Sequence, residues 1–290
     1  MEIKEGSMKK NLLKGVIDLH VHSHPDIRER AYTDFQLMEA ARKVGAKAIV
    51  IKTHHGTTMD RAYLTNQYNK KLYGDNDFIM FGSITLNEAV GGFNPVAVET
   101  ALKLGAKIIW LPTTYSKNHL EAFGKTGGIE CIDENGQILP EIEKIIKLAI
   151  KYDAILATGH ISPKEVFAVV EKAKKLGLDK IIVTHPEFWV VGMTVEDQVE
   201  LVKKYDVFLE RCYAQPLGGG KYKSNLEDNY EIIKKVGCNN IIVDTDGGQV
   251  ENPNWEVAFE EYIQYLYDRG ITEKEMEIMT IKNAAKLLGI

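Results

Sequence analysis

The feature that most constrains this chain is a rhythm of short apolar runs, each followed by a polar loop and a helix-period segment. The runs read GVIDLHV (15–21), AKAIVIK (46–52), DFIMFGSI (77–84), AKIIWLP (106–112), DAILATG (153–159), DKIIVTH (179–185), DVFLERC (206–212) and NIIVDTD (240–246). They are rich in Ile and Val and almost continuously apolar. Strands read this way when both faces are covered, because no face is left to water. Between them, 33–44, 94–104, 163–176 and 194–205 carry helical periodicity and open on Thr, Asn or Ser. The first three stop at Gly45, Gly105 and Gly177. A hydroxyl or amide oxygen satisfies free N–H groups at a helix start, and glycine accepts the left-handed turn that ends one. Two more helical stretches, 255–269 and 272–288, close the chain. Strands and helices alternating eight times over about 250 residues predict an α/β fold, a (β/α)8 TIM barrel. A doubly wound sheet fits less well, since no G-x-G-x-x-G follows the first run.

The 290 residues read as one barrel domain, 1–290, with no linker rich in Pro, Gly or Ser. Residues 1–10 read as a flexible N-terminal extension, and Met8 is an alternative start. One long excursion, 113–139, follows the fourth run, and GIECIDENGQIL within it reads as a β-hairpin around Asn135-Gly136. The expected fold is therefore a barrel with a hairpin-containing insertion after strand four, placed to act as a lid or pocket wall.

Composition excludes several function classes. The net charge of −5 argues against nucleic acid, which needs a clustered basic surface. No apolar run approaches the ~20 residues that cross a bilayer. The first fifteen residues lack the apolar core of a secretory signal. The cysteines Cys131, Cys212 and Cys238 are odd in number and in no C-x-x-C pair, which fits a reducing compartment. A cytoplasmic protein is expected, acting on a small molecule; a homo-oligomer is compatible with the sequence.

All eight histidines fall on the C-terminal side of a run. His20, His22 and His24 follow the first, His54 and His55 the second. His119 follows the fourth, His160 ends the fifth in ATGH, and His185 ends the sixth in VTH. In a barrel, that face carries the active site. Period two puts His20 and His22 on one face, with Asp18 below them; it also aligns Lys52 with His54, and Asp244 with Asp246. Imidazoles and a carboxylate converging from different strands suit Zn²⁺ or a similar divalent ion.

His-x-His on the first strand, His at the ends of strands five and six, and Asp at the end of strand eight resemble the amidohydrolase superfamily. The resemblance runs from Asp18 to Asp246. It implies His20, His22, His160, His185 and Asp246 as metal ligands, with Asp246 also the general base toward water. Asp244 would lie one layer deeper, as a partner to a ligating His. Many members carry a carboxylated Lys or a Glu on strand four; IIWLPTT offers neither. Lys52 is the inward Lys at this level, either carboxylated between two metals or a cation facing the substrate. One or two ions thus remain open.

His54, Arg30, His119 and Glu210 are candidate substrate contacts, with Glu210 alternatively paired to Lys52. His24 and His55 face away by parity. PLGGGKYKS lacks the G-K-[ST] context of a phosphate loop and reads as a flexible loop over the mouth. The expected activity is metal-dependent hydrolysis of a C–N or C–O bond in an amide, lactam, lactone or cyclic imide, with Asp246 and Lys52 catalytic. A rim of Arg28, Arg30, Lys52 and Lys117 raises the rival of phosphoester cleavage, beside decarboxylation, isomerisation, or an inactive binding barrel.

Overall fold

The computed structural model describes residues 11–75 and 77–290, so the 1–10 extension lies outside the described residues. Strands and helices alternate as the sequence predicts. The strands are β1 (Ile17–His22), β2 (Ala48–Lys52), β3 (Ile79–Thr85), β4 (Ala106–Trp110), β5 (Ile155–Ala157), β6 (Ile181–Val183), β7 (Phe208–Cys212), β8 (Ala214–Gly218), β9 (Lys221–Ser224) and β10 (Ile241–Asp244). Eight of them form one sheet in the order β1-β2-β3-β4-β5-β6-β7-β10, all pairs parallel. The fold is a (β/α)8 barrel.

The outer ring holds α1 (Asp34–Val44), α2 (Met59–Tyr73), α3 (Pro95–Lys103), α5 (Pro140–Lys151), α6 (Pro163–Leu176), α7 (Val195–Tyr205), α8 (Leu226–Val236) and α9 (Trp255–Asp268), while the short α4 (Lys117–Ala122) belongs to the excursion. Thr33, Ser162 and Thr194 cap α1, α6 and α7, each within a reciprocal capping box. The closing stretch is α10 (Glu273–Glu277), a π-helical turn (Ile278–Lys282) and α11 (Asn283–Leu288). Ala284, Leu287 and Leu288 pack with inward residues of the strands, Ile17, Leu19, Ala48, Val50, Ile108 and Trp110 among them. That end of the barrel is therefore a sealed apolar core, which leaves the opposite mouth for polar chemistry.

Closure between β10 and β1 is irregular. A parallel bridge joins Val21 to Gly247, where the His22 N–H donates to Gly247 O at 2.9 Å. Below it, buried carboxylates stand in for a ladder. Asp244 Oδ1 accepts from the Leu19 N–H at 2.7 Å, and Asp18 Oδ2 accepts from Thr245 Oγ1 at 2.6 Å and Trp255 Nε1 at 2.8 Å. Burial pushes Asp18 up to about 6 and Asp244 further, as expected of neighbouring carboxyls sharing a dry seam.

The seam corrects one expectation. Asp18 does not share a face with His20 and His22. Ile17 and Leu19 fill the barrel interior, while Val21 packs among the helices. The register with β2 slips between Asp18 and Val21, so side-chain alternation restarts there and both histidines turn inward.

One loop reading also changes. The arms around Asn135-Gly136 pair through a single antiparallel bridge, Ile132 to Ile138, with the Asp133 N–H donating to Gln137 O at 2.8 Å and the Leu139 N–H to Cys131 O at 3.0 Å. A longer hairpin lies at β8–β9, where the glycine run was expected to be a loop. Gly218, Gly219 and Gly220 all take positive φ, which lets this turn form.

Candidate metal centre at the barrel mouth

The site is built where β1, β2, β6, β7 and β10 leave the core. The strand alternation that turns Val50 inward also turns in Lys52, and Phe208 likewise predicts Glu210 and Cys212 inward. Each donor then meets neighbours from distant parts of the chain.

His20 is fully buried and held at both nitrogens. Its Nδ1 lies 3.2 Å from Glu210 Oε1, and its Nε2 lies 2.9 Å from Lys52 Nζ and 3.2 Å from Asp246 Oδ1. Asp246 Oδ1 is also 3.2 Å from His22 Nε2. His20, His185 and Asp246 each bring a ligand atom to within 4.8 Å of the other two. Two atoms bound tetrahedrally at about 2.0–2.1 Å from zinc lie about 3.3 Å apart, close to these His–Asp spacings.

Charge state supports the same reading. Burial pushes His20 down to about 3 and His185 to about 4, and drives His22, His54 and His160 well below the usual imidazole range. The contacts of Asp246 to His20 and His22 are therefore not ion pairs at neutral pH. Neutral imidazoles are the ligand form. Glu210 Oε2 accepts from the His185 N–H; with Oε1 ionised the carboxylate accepts from His20 as well, which places the His20 proton on Nδ1 and a lone pair at Nε2. That lone pair faces another acceptor, Asp246 Oδ1. Lys52 Nζ, 2.9 Å from the same nitrogen, donates to that lone pair and supplies the positive charge beside the pair here. The Nδ1 atoms of His22 and His185 are buried without hydrogen-bond partners, so the donor set also has unused capacity. The residues fit a divalent ion.

Backbone geometry adds to this. His185 (φ 23) and Asp246 (φ 49) are two of the four described non-glycine residues with positive φ. Such conformations persist where surrounding contacts over-determine them, as at sites. Here Glu210 Oε2 accepts from the His185 N–H at 3.1 Å. Beside Asp246, a Cβ on Gly248 (φ +82) would fall 1.8 Å from His22 O, so only glycine lets this turn lie on β1. Asp246 thus stands at the mouth within that turn, on the interior side that Ile242 also faces.

Glu210 thus contacts His20 Nδ1 and the His185 backbone N–H, and it is not among the cavity-lining residues. The sequence assigned the place beside a ligating His to Asp244, which instead sits in the seam. Burial raises the Glu210 carboxyl, while His185 and Lys52 oppose the rise. Its signal in the sequence was an acid at an inward position of an apolar strand. Lys52 is fully buried, 4.3 Å from the centre of the Trp110 ring, and burial lowers its pKa. Trp110 also packs 4.8 Å from the His20 ring, filling the strand-four level where the resemblance would place a ligand.

Above these donors opens a cavity of about 370 Å³, lined among others by Lys52, His54, His119, His160, Phe188 and Asp246. His54 is fixed through Nδ1 to Thr113 Oγ1 at 2.8 Å. His160 does not join the His20–His185–Asp246 group. Its ring lies 4.9 Å from that of His185, and its Nδ1 meets His119 Nδ1 at 2.9 Å. His55 lines the cavity, against the parity expectation, and His24 Nε2 accepts from the Arg30 N–H at 2.9 Å.

Three of the four expected rim cations have carboxylate partners, while Lys52 meets His20 Nε2 and lines the cavity. Arg28 bonds Glu251; Arg30, buried, bonds Asp26 at 2.8 Å and also Gln249; Lys117 bonds Glu130 at 3.0 Å and is not among the cavity-lining residues. No helix of the described residues is long and apolar enough to cross a membrane.

Comparison with known proteins agrees with the architecture. A family model described as a family of unknown function (DUF6282) matches residues 15–210, a span that ends at Glu210 and excludes Asp246. No curated protein matches the chain. Among solved structures, an amidohydrolase from Pseudomonas aeruginosa is 14% identical with a TM-score of 0.62, covering 96% of each chain. An organophosphorus hydrolase from Deinococcus radiodurans is 13% identical with a TM-score of 0.59, covering 96% of this chain and 94% of its own. A 2,6-dihydroxybenzoate decarboxylase from Rhizobium is 12% identical with a TM-score of 0.53, covering 95% and 99%. The likeness is one of fold, a (β/α)8 barrel along almost the whole chain. Because these titles name different reactions, the fold leaves the chemistry to the site.

Proposed function

We propose that this chain, which belongs to the family of unknown function DUF6282, is a metal-dependent hydrolase of small molecules. The observation that carries the reading is the convergence of His20, His185 and Asp246, whose ligand atoms lie within 4.8 Å of one another, beside the buried and unpartnered Nδ1 atoms of His22 and His185. It is set among neutral buried imidazoles, with two left-handed residues holding donors in place. His20, His185 and Asp246 hold one ion, zinc by donor type, with His22 beside Asp246 and His160 beside His185 as the further donors at the edge of the group. The second donor group, His20, Glu210 and Cys212, shares His20 with the first, and Trp110 fills strand four; both support one ion over two.

A divalent ion at this place supplies Lewis acidity and makes a water molecule acidic enough to react near neutral pH. Asp246 would accept a proton from the attacking water at its carboxylate and return it to the leaving group. Glu210 keeps the His20 lone pair turned toward the centre. Lys52 gives up His20 Nε2 and turns its ammonium to the cavity it lines, where it stabilises negative charge on the substrate oxygen. Phe188 and the His54–Thr113 pair form walls that orient the substrate and exclude water. A 370 Å³ cavity suits a small amide, lactam, lactone or cyclic imide. The phosphoester alternative loses its main support, because Arg28, Arg30 and Lys117 each have a carboxylate partner.

The test is metal content per chain by elemental mass spectrometry, on protein purified without chelators, with His20→Ala alongside. About one equivalent in the wild type and little in the variant supports the reading. A panel of lactones, cyclic imides, amides and phosphoesters follows, with Asp246→Asn as the catalytic control. No metal taken up, even after incubation with zinc or manganese, overturns it.

A further inference from the structure

The excursion after β4 grips His160 at both ends. Ser116 Oγ donates to His160 O at 2.9 Å, and Asn118 Nδ2 donates to the same carbonyl at 3.1 Å. Asn118 Nδ2 also donates to Val190 O at 2.8 Å, in the loop that follows His185. One residue on, His119 Nδ1 lies 2.9 Å from His160 Nδ1, the rings nearly parallel at 22° with centroids 5.0 Å apart. The His119 ring also stacks on Phe123, centroids 4.9 Å apart, and Phe123 in turn meets Trp189 at 5.1 Å. Three residues of a single strap thus fix the backbone and the ring of His160 and tie the ends of β5 and β6 together.

Two Nδ1 atoms at this distance share one proton: one ring donates and the other accepts. The choice decides what His160 can do. If His160 donates, its Nε2 keeps a lone pair, and Nε2 is the nitrogen left for the cavity that His160 lines. If His160 accepts, Nε2 carries the proton and neither nitrogen is free to coordinate.

We infer that His119 is a positioning residue: it accepts the Nδ1 proton of His160, fixing its tautomer and ring direction so that Nε2 presents a lone pair to the cavity. A ligating histidine ordinarily donates its second N–H to a carboxylate or carbonyl. Here a second imidazole, carried by the excursion, takes that part. The excursion is then a component of the centre, not only a wall over it. This inference rests on the metal-site reading above.

The test separates the two. His119→Phe keeps the ring stack and removes the acceptor; His119→Asn loses the ring and keeps an acceptor near the Nδ1 position. Zinc affinity of the full chain is measured by competition with a chromophoric chelator. His119→Phe is expected to weaken zinc binding about 10- to 100-fold, and His119→Asn to recover most of the loss. In metal-free protein, ¹H–¹⁵N correlation of the imidazoles should report His160 as the Nδ1–H tautomer in the wild type and a mixture in His119→Phe. Unchanged zinc affinity in His119→Phe, equal losses in both variants, or an Nε2–H tautomer in the wild type overturns the inference. If the wild type binds no metal, the preceding reading fails, and the tautomer measurement still decides the role of His119.

Discussion

Replacing Glu210 with Gln should damage the metal centre without unfolding the barrel. The carboxylate accepts from His20 Nδ1 at 3.2 Å and from the His185 N–H at 3.1 Å. Gln keeps the shape but turns one oxygen into an NH₂. A backbone N–H can only donate, so the amide oxygen must face His185 and the NH₂ must face His20. His20 then has to accept at Nδ1 and move its proton to Nε2, the nitrogen 3.2 Å from Asp246. The lone pair that would meet the ion is lost. Removing a partner of this kind lowers metal affinity about 10- to 100-fold, or about 1.4–2.7 kcal/mol. The folded metal-free protein, relieved of a buried charge, should stay within about 1 kcal/mol of wild type. Zinc competition with a chromophoric chelator reads the first quantity and urea unfolding the second. An affinity within threefold of wild type would refute the tautomer argument; parallel collapse of affinity and stability would reduce Glu210 to a packing role.

Other outcomes follow from the same geometry. Gly248→Ala should destabilise the fold by about 3 kcal/mol or more in urea melts, since the added Cβ meets His22 O at a left-handed position; a smaller loss would mean the turn can leave β1. Arg211→Met strands Glu187, buried and 3.0 Å away, and should cost about 3–5 kcal/mol, whereas adding Glu187→Gln should recover most of it; an equal loss in both rules out the uncompensated charge as the cause. Metal-free protein should be less stable at pH 5 than at pH 7.5. His20 and His185 titrate near 3 and 4 when folded, so their stabilisation is complete above the unfolded value of 6.5 and is lost as pH falls below it. Each contributes on the order of 2 kcal/mol over that interval, partly offset by Asp18, whose raised value favours the folded state at lower pH. Equal urea midpoints at the two pH values would show that these imidazoles are not held neutral.

Much of this protein is determined locally. The Ile- and Val-rich runs specify buried strands because their side chains need cover on both faces. Thr33, Ser162 and Thr194 start helices where their oxygens meet free N–H groups. The alternation of these elements leads to the barrel, and the histidines placed after strands gather at its mouth. Parity alone turned Lys52, Glu210 and Cys212 inward. What failed to be legible depends on departures from regularity and on neighbours far along the chain. The slip in β1 sends Asp18 to the seam, and a left-handed turn follows β10 at Asp246. Glu210 acquires its part from a contact spanning 190 residues, and His119 from one spanning 41. Three cations of the rim are paired with Asp26, Glu130 and Glu251, whose proximity only the closed barrel decides. Periodicity tells a side chain which way to point; the partner it finds there is fixed by packing.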